Sequence, residues 1–155
     1  MPVYMERMPA GFPGRVSRKS NVTLEPVSLG ADLPFGAPGK IVDGKLVPLA
    51  DGDGAELIYG FLACQYPTQS AMDEAGVGIG PKGTLQSVMR RGYMTMRVTS
   101  GTPAKDAPVY VVTAAAGAAL GSLSASSGAG LAAIPGCEFQ GEADAGGNTE
   151  ISFNI

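Results

Sequence analysis

Apolar residues recur along this chain in short runs separated by glycine, proline and Asp-Gly steps, a pattern that predicts strands. The clearest local signal is KIVDGKLVPL at residues 40–49, where Asp43-Gly44 separates two apolar runs as a two-residue hairpin turn requires. Residues 93–99 alternate, with Met94, Met96 and Val98 on one face and Tyr93, Thr95, Arg97 and Thr99 on the other, which predicts a half-buried strand. Residues 56–65 (ELIYGFLACQ) are apolar on both faces and read as a central strand, with Gly60 a candidate bulge. Residues 22–29 are extended, but Pro26 places them at an edge or a bend. Residues 109–113 are β-branched and follow Pro108. The final stretch predicts a hairpin around Gly146-Gly147-Asn148, with Ile151, Phe153 and Ile155 on one face and the last residue in the core.

One short helix competes with a strand at residues 84–91, where Leu85, Val88 and Met89 fall at helical spacing. Residues 114–133 are rich in alanine, but Gly117, Gly121, Gly128, Gly130 and a serine cluster break any helix, leaving loops and short strands. Many strands with little helix predict a mainly β fold, a jelly-roll-like β-sandwich or barrel with an extended N-terminal arm. The expected organisation is an arm over residues 1–20 and a single β domain over 21–155.

The length of 155 residues suits one domain with its own core. Glycine (23) and proline (12) are frequent enough to demand many turns. The net charge of −3 is mild but unevenly distributed. Residues 1–19 carry Arg7, Arg15, Arg18 and Lys19 against Glu6, whereas no basic residue follows Lys105. Solvated charges explain most such asymmetry, though the acidic stretch from Glu138 to Glu150 also offers a surface to the basic arm of an adjacent copy. Cys64 and Cys137 form no CxxC pattern and sit among apolar residues, so both read as small core side chains. No apolar h-region opens the chain, so synthesis and folding are expected in the cytoplasm, and no segment has the density of a membrane span.

Candidate catalytic chemistry is sparse. The chain has no histidine, which removes His-activated nucleophiles and His-containing metal sites. Residues 78–83 match GxGxxG but neither follow a strand nor open a helix, and Lys82-Gly83-Thr84 lacks the hydroxyl residue a P-loop needs directly after lysine. The loop Asp51-Gly-Asp53-Gly-Ala-Glu56 is oxygen-rich but lacks the full ligand set of an EF-hand, so it reads as a solvated turn with cation binding left open. Glu138 and Glu142 are carboxylates suited to acid–base chemistry, but their spacing does not show that they converge in one cleft. Arg90-Arg91 beside Tyr93 is an isolated basic pair with no surrounding basic stripe, so neither nucleic acid nor membrane is an expected partner. No cofactor is expected.

Ordering about 20 residues of an arm broken by Pro2, Pro9, Gly11, Pro13 and Gly14 costs roughly 20–40 kcal/mol of backbone entropy. Offsetting that needs burial on the order of 1,000 Å², which implies packing on another subunit or on the body with a neighbour's help, the alternative being an arm folded back on its own body. The candidate contact residues are therefore Tyr4, Met5, Arg7, Met8, Phe12, Arg15, Arg18 and Lys19.

The opening MPVYMERMPAGFPGRVSRKSNVTLEPV, the hairpin GKIVDGKLVPL, the segments IYGFLACQYPTQS, VMRRGYMTMRV and APVYVV, and the closing IPGCEFQGEADAGGNTEISFNI together resemble the head cement, or decoration, proteins of tailed bacteriophages. The resemblance implies a non-enzymatic virion protein on the outer capsid surface. Its partners would be the major capsid protein at junctions between hexamers and pentamers, and itself as a dimer or trimer. Two other readings share the β character: a tail or baseplate component, and a carbohydrate-binding sandwich. The second would need exposed aromatics, and this chain has no tryptophan.

Overall fold

The computed structural model describes residues 11–64, 79–114 and 119–155. Its described strands are β1 (Val16–Leu29), β2 (Leu33–Pro34), β3 (Pro38–Val42), β4 (Lys45–Pro48), β5 (Gly60–Leu62), β6 (Ile79–Gly80), β7 (Leu85–Ser100), β8 (Pro108–Val112), β9 (Leu123–Ser124), β10 (Leu131–Phe139) and β11 (Asn148–Phe153). A 3-10 turn spans Ala55–Leu57. The mainly β class expected from the sequence is observed.

The 16-residue strand β7 organises the molecule. Its first half pairs with β1 and with β5, and the ladders β1-β4-β3-β5-β7 return to β1 as a closed ring. Its second half pairs with β11 and β9, and β7-β11-β10-β8-β9 closes a second ring. Closure of this kind pairs the backbone groups that an open sheet would leave at its edges. Strands β2 and β6 form a separate two-stranded ladder.

Each ring has its own filling. Leu29, Leu33, Phe35, Leu46, Leu62 and Val88 form one buried cluster. The larger cluster includes Met94, Met96, Val109, Val111, Ile134, Phe139, Ile151 and Phe153, and it extends to Phe61 and Met89 on the first ring's strands. The Phe61 and Phe153 rings meet edge-on at 5.0 Å and 86°, joining β5 to β11. Such a contact adds about 0.5–1.5 kcal/mol beyond the area it buries.

Glycine makes the handover between rings possible. Gly92, where β7 changes partners, has φ +137°, and a methyl group there would lie 3.0 Å from Val22 Cγ2 and 3.3 Å from Met89 Sδ. Gly60 allows β5 to approach β7, because a Cβ would fall 2.5 Å from the Met89 carbonyl oxygen.

The hairpin expected at Asp43-Gly44 is present as β3–β4, with φ of 50° and 74° at the two turn residues. Elsewhere the structure differs from expectation in ways that have physical causes. The helix weighed at residues 84–91 is strand from Leu85 onward, because pairing with β1 and β5 satisfies its backbone on both sides. The central strand expected over residues 56–65 is shorter, since the 3-10 turn takes its first residues and β5 covers only Gly60–Leu62; Gln65 lies outside the described residues. Thr95, assigned to the polar face of a half-buried strand, is buried because residues 11–15 lie across it. Thr95 accepts a backbone bond from Gly14 and donates one to Arg15.

Strand β1 begins at Val16, inside the segment read as an arm to residue 20. Val16 pairs with Met94 and Arg18 with Tyr93, so these residues belong to the sheet. Ile155 is not core. Asn154 adopts φ +54°, which ends the alternation after Phe153 and leaves Ile155 53% exposed.

Candidate functional site

Of the predicted contact residues, Tyr4, Met5, Arg7 and Met8 lie outside the described residues. Phe12, Arg15, Arg18 and Lys19 fall on one continuous stretch leading into β1, and all four are exposed. Pro13 and Gly14 create a tight turn, in which Arg15 N–H donates to the Phe12 carbonyl at 3.3 Å and Gly14 has φ +86°. Close packing fixes that turn: a methyl group on Gly14 would lie 2.7 Å from Phe35 Cβ. The Arg15 guanidinium stands 6.0 Å from the centre of the half-exposed Phe12 ring.

Arg18 is the most constrained of the four. Its Nη2 and Nε donate to the two carboxylate oxygens of Glu150 at 2.5 and 3.3 Å, and its guanidinium lies 4.1 Å from the centre of the Tyr93 ring. The hydrogen bond to Glu150 raises the Arg18 pKa. A basic residue near the start of the chain is thus satisfied by the acidic C-terminal strand of the same chain, so Glu150 already has a partner within the molecule. Beside Lys19 and Ser20 the β1–β7 ladder is interrupted between Arg18 and Thr23.

A second cluster joins elements far apart in sequence. The Tyr59 hydroxyl donates to Glu25, Arg90 Nη1 lies 3.6 Å from Glu25 Oε2, and the Arg90 guanidinium stacks 3.7 Å from the centre of the Tyr59 ring. Sequence reasoning marked Arg90 as half of a basic pair and missed Glu25 and Tyr59, because only the closing of the first ring brings them together. Asn154 Nδ2 also donates to the Arg90 carbonyl at 2.9 Å.

The acidic loop is tied internally. Asp53 Oδ2 accepts from Lys40 Nζ at 2.5 Å and from Ala50 N–H at 2.7 Å. The Lys40 hydrogen bond, followed by that from Ala50, lowers the Asp53 pKa. Among the described residues no group of three or more His, Cys, Asp or Glu side chains converges to hold a metal ion. Cys137 is buried and its thiol pKa is pushed up by desolvation, which disfavours the nucleophilic thiolate. Gly83 turns the chain into β7 with φ +80°, so the glycine-rich segment leads into a strand and opens no helix. Among the described residues no helix is long and apolar enough to cross a membrane.

An open cleft of about 280 Å³ lies where the two rings meet. Its walls include Pro13, Pro34, Phe35, Pro48, Met96 and Leu120, with Asp32 and Arg97 as charged members. The lining has no set of groups arranged for acid–base or nucleophilic chemistry. The surface is suited to contact: arginines stacked on aromatics, a pinned N-terminal strap and an apolar cleft.

These features define a β scaffold whose functional groups are surfaces. Residues 2–154 match the family described as structural cement protein (E217 gp24/Pam3 gp6), and the chain belongs to that family. It is a structural virion protein that stabilises the capsid. Among solved structures it is similar to a chain of "The capsid of Myoviridae Phage XM1", with a TM-score of 0.76 and 22% identity over 98% of this chain and 95% of that one. No curated protein matches the chain.

Proposed function

We propose that this protein clamps the outside of a mature phage capsid, binding the major capsid protein at junctions between capsomers and acting as a dimer or trimer. Its work is mechanical and non-enzymatic. It holds neighbouring capsomers together against the pressure of packaged DNA, after synthesis in the host cytoplasm. The family match over residues 2–154 carries the reading. Several structural features support it. The two rings are closed and share one strand, which suits a part that must transmit load without unzipping. Tyr59 and Tyr93 lie beneath arginines and are not free stacking platforms for sugars. Phe12, Arg15, Arg18 and Lys19 are presented together on the stretch entering β1, where they serve as shell or intersubunit contacts along with Tyr4, Met5, Arg7 and Met8.

Electron microscopy of undecorated shells mixed with the purified protein tests the placement. The expected result is added density on the outer surface at capsomer junctions. Density confined to the tail or baseplate, or no binding to shells, would overturn it.

A further inference from the structure

We propose that the outer face of the first ring, where β7, β1, β4 and β3 lie side by side, docks an apolar surface of the shell protein that carries a carboxylate. This rests on the cement reading for the existence of a shell partner, and on the face itself for where and how that partner is held.

Strand register places the residues. Ser28 of β1 pairs with Leu85 on one side and with Lys45 on the other, and Lys45 pairs with Val42. Directly opposed residues present their side chains to one face, and the next residues along, Leu29 and Leu46, are buried in the first ring's core. Leu85, Ser28, Lys45 and Val42 therefore form a row on the outside of the ring, about 14 Å across at the usual strand spacing. Pro26, paired with Ser87, and then Leu24 continue the face along β1. In the other direction Gly30 leaves it level, because a Cβ there would lie 2.7 Å from Val47 Cγ1 and 3.4 Å from Lys45 Cβ. Leu85 is 67% exposed, Val42 45% and Leu24 44%. Single apolar side chains in water need no explanation, but a group of them on adjoining strands marks an interaction surface.

The charge on this face selects its occupant. Lys45 stands in the middle of the row, exposed, and takes part in none of the ion pairs among the described residues. Lys40, across from Val47 on the same face, is already held by Asp53. The row has no carboxylate of its own: Asp43 belongs to the hairpin turn beyond Val42, and Glu25 alternates to the inner side, where it meets Tyr59. A two-fold contact between copies through this row would set Lys45 against Lys45 with nothing to neutralise either, and burying an unpaired charge is costly. A shell surface that brings a carboxylate to Lys45 removes that cost and forms a charge-assisted hydrogen bond flanked by Leu85 and Val42.

Titration of undecorated shells with charge variants of the purified protein tests this. Leu85→Glu and Lys45→Glu should each raise the concentration for half-maximal decoration at least tenfold while leaving the melting midpoint unchanged; Leu85→Ser replaces Leu85→Glu if the latter folds poorly. Lys45→Arg should decorate like the wild type, and so should Leu57→Glu, which alters an apolar residue 48% exposed but off this face. Folded Leu85→Glu and Lys45→Glu proteins that decorate with wild-type affinity would overturn the inference while leaving the cement reading intact. So would an equal loss with Leu57→Glu, which would reduce the effect to added negative charge. A wild-type dimer in sedimentation that Leu85→Glu dissociates would also overturn it, by putting a second copy on the face. Shells that bind no wild-type protein would remove the cement reading, and this inference with it.

Discussion

The first ring is filled by a small, mostly aliphatic cluster of Leu29, Leu33, Phe35, Leu46, Leu62 and Val88, whereas the second draws on Met94, Met96, Phe139, Ile151 and Phe153 and reaches back to Phe61 and Met89. The surfaces differ in the opposite sense. Leu24, Ile41, Val42 and Leu85 are exposed on strands of the first ring, while among the described residues the large exposed apolar side chains beside the second ring, Phe12, Leu57 and Ile155, lie off its strands. Cohesion is thus concentrated in the second ring and at the junction, and available contact surface in the first. A clamp benefits from that division, because surface on the first ring can change for a partner without emptying the core.

The largest test of this division is Phe153→Ala. Removing a buried ring that packs edge-on against Phe61 should cost roughly 3–5 kcal/mol, a large part of a small domain's stability. A thermal melt should show a much lower midpoint; an unchanged midpoint would mean that the junction does not hold the rings together. Gly60→Ala attacks the same junction from the backbone. Its Cβ would fall 2.5 Å from the Met89 carbonyl oxygen and 2.7 Å from Val88 Cγ1, and the strain should cost about 1–3 kcal/mol in denaturant unfolding. A neutral result would show that β5 can move away from β7, which the comparison does not allow.

Much of this core was legible from the sequence and some of it was not. Asp43-Gly44 announces its hairpin because both turn residues need positive φ, a local requirement. Met94, Met96 and Val98 announce their shared face by alternation. Thr95 could not be read as buried, because its cover comes from residues 11–15, a contact that adjacent positions in β7 do not encode. Ile155 looked like core because the apolar alternation continues through it, and only the backbone turn at Asn154 breaks the pattern. Among candidate contacts, the charge of Arg18 was evident, but its pairing with Glu150 depends on β1 and β11 both pairing with β7 near Tyr93. The Glu25–Tyr59–Arg90 cluster is legible only after ring closure.

Smaller perturbations sharpen the contrast between core and surface. Arg18→Ala removes an exposed ion pair and a stacking contact, so its cost to stability should stay below about 1 kcal/mol and shrink with added salt. Equal losses at low and high salt would point to packing on Tyr93 as the main contribution. For Asp53, the lowered pKa means that the carboxylate takes up a proton less readily in the folded state than in the unfolded one. Its contribution is therefore present above the ordinary carboxylate range and lost as pH falls through the lowered value. Melting midpoints of the wild type and Asp53→Asn should differ at neutral pH and converge in acid; a constant gap would exclude this linkage. Deleting Ile155 should change stability by no more than about 0.5 kcal/mol, measured by the same melts, since its side chain is exposed.

The central claim is that this scaffold strengthens a capsid by being bound to it. The most direct measurement is the temperature at which DNA escapes from virions, followed by a dye that fluoresces on released DNA. Particles lacking the protein should assemble but release DNA at a lower temperature, and adding back the wild-type protein should restore the higher one. Identical release temperatures with and without the protein would contradict the account.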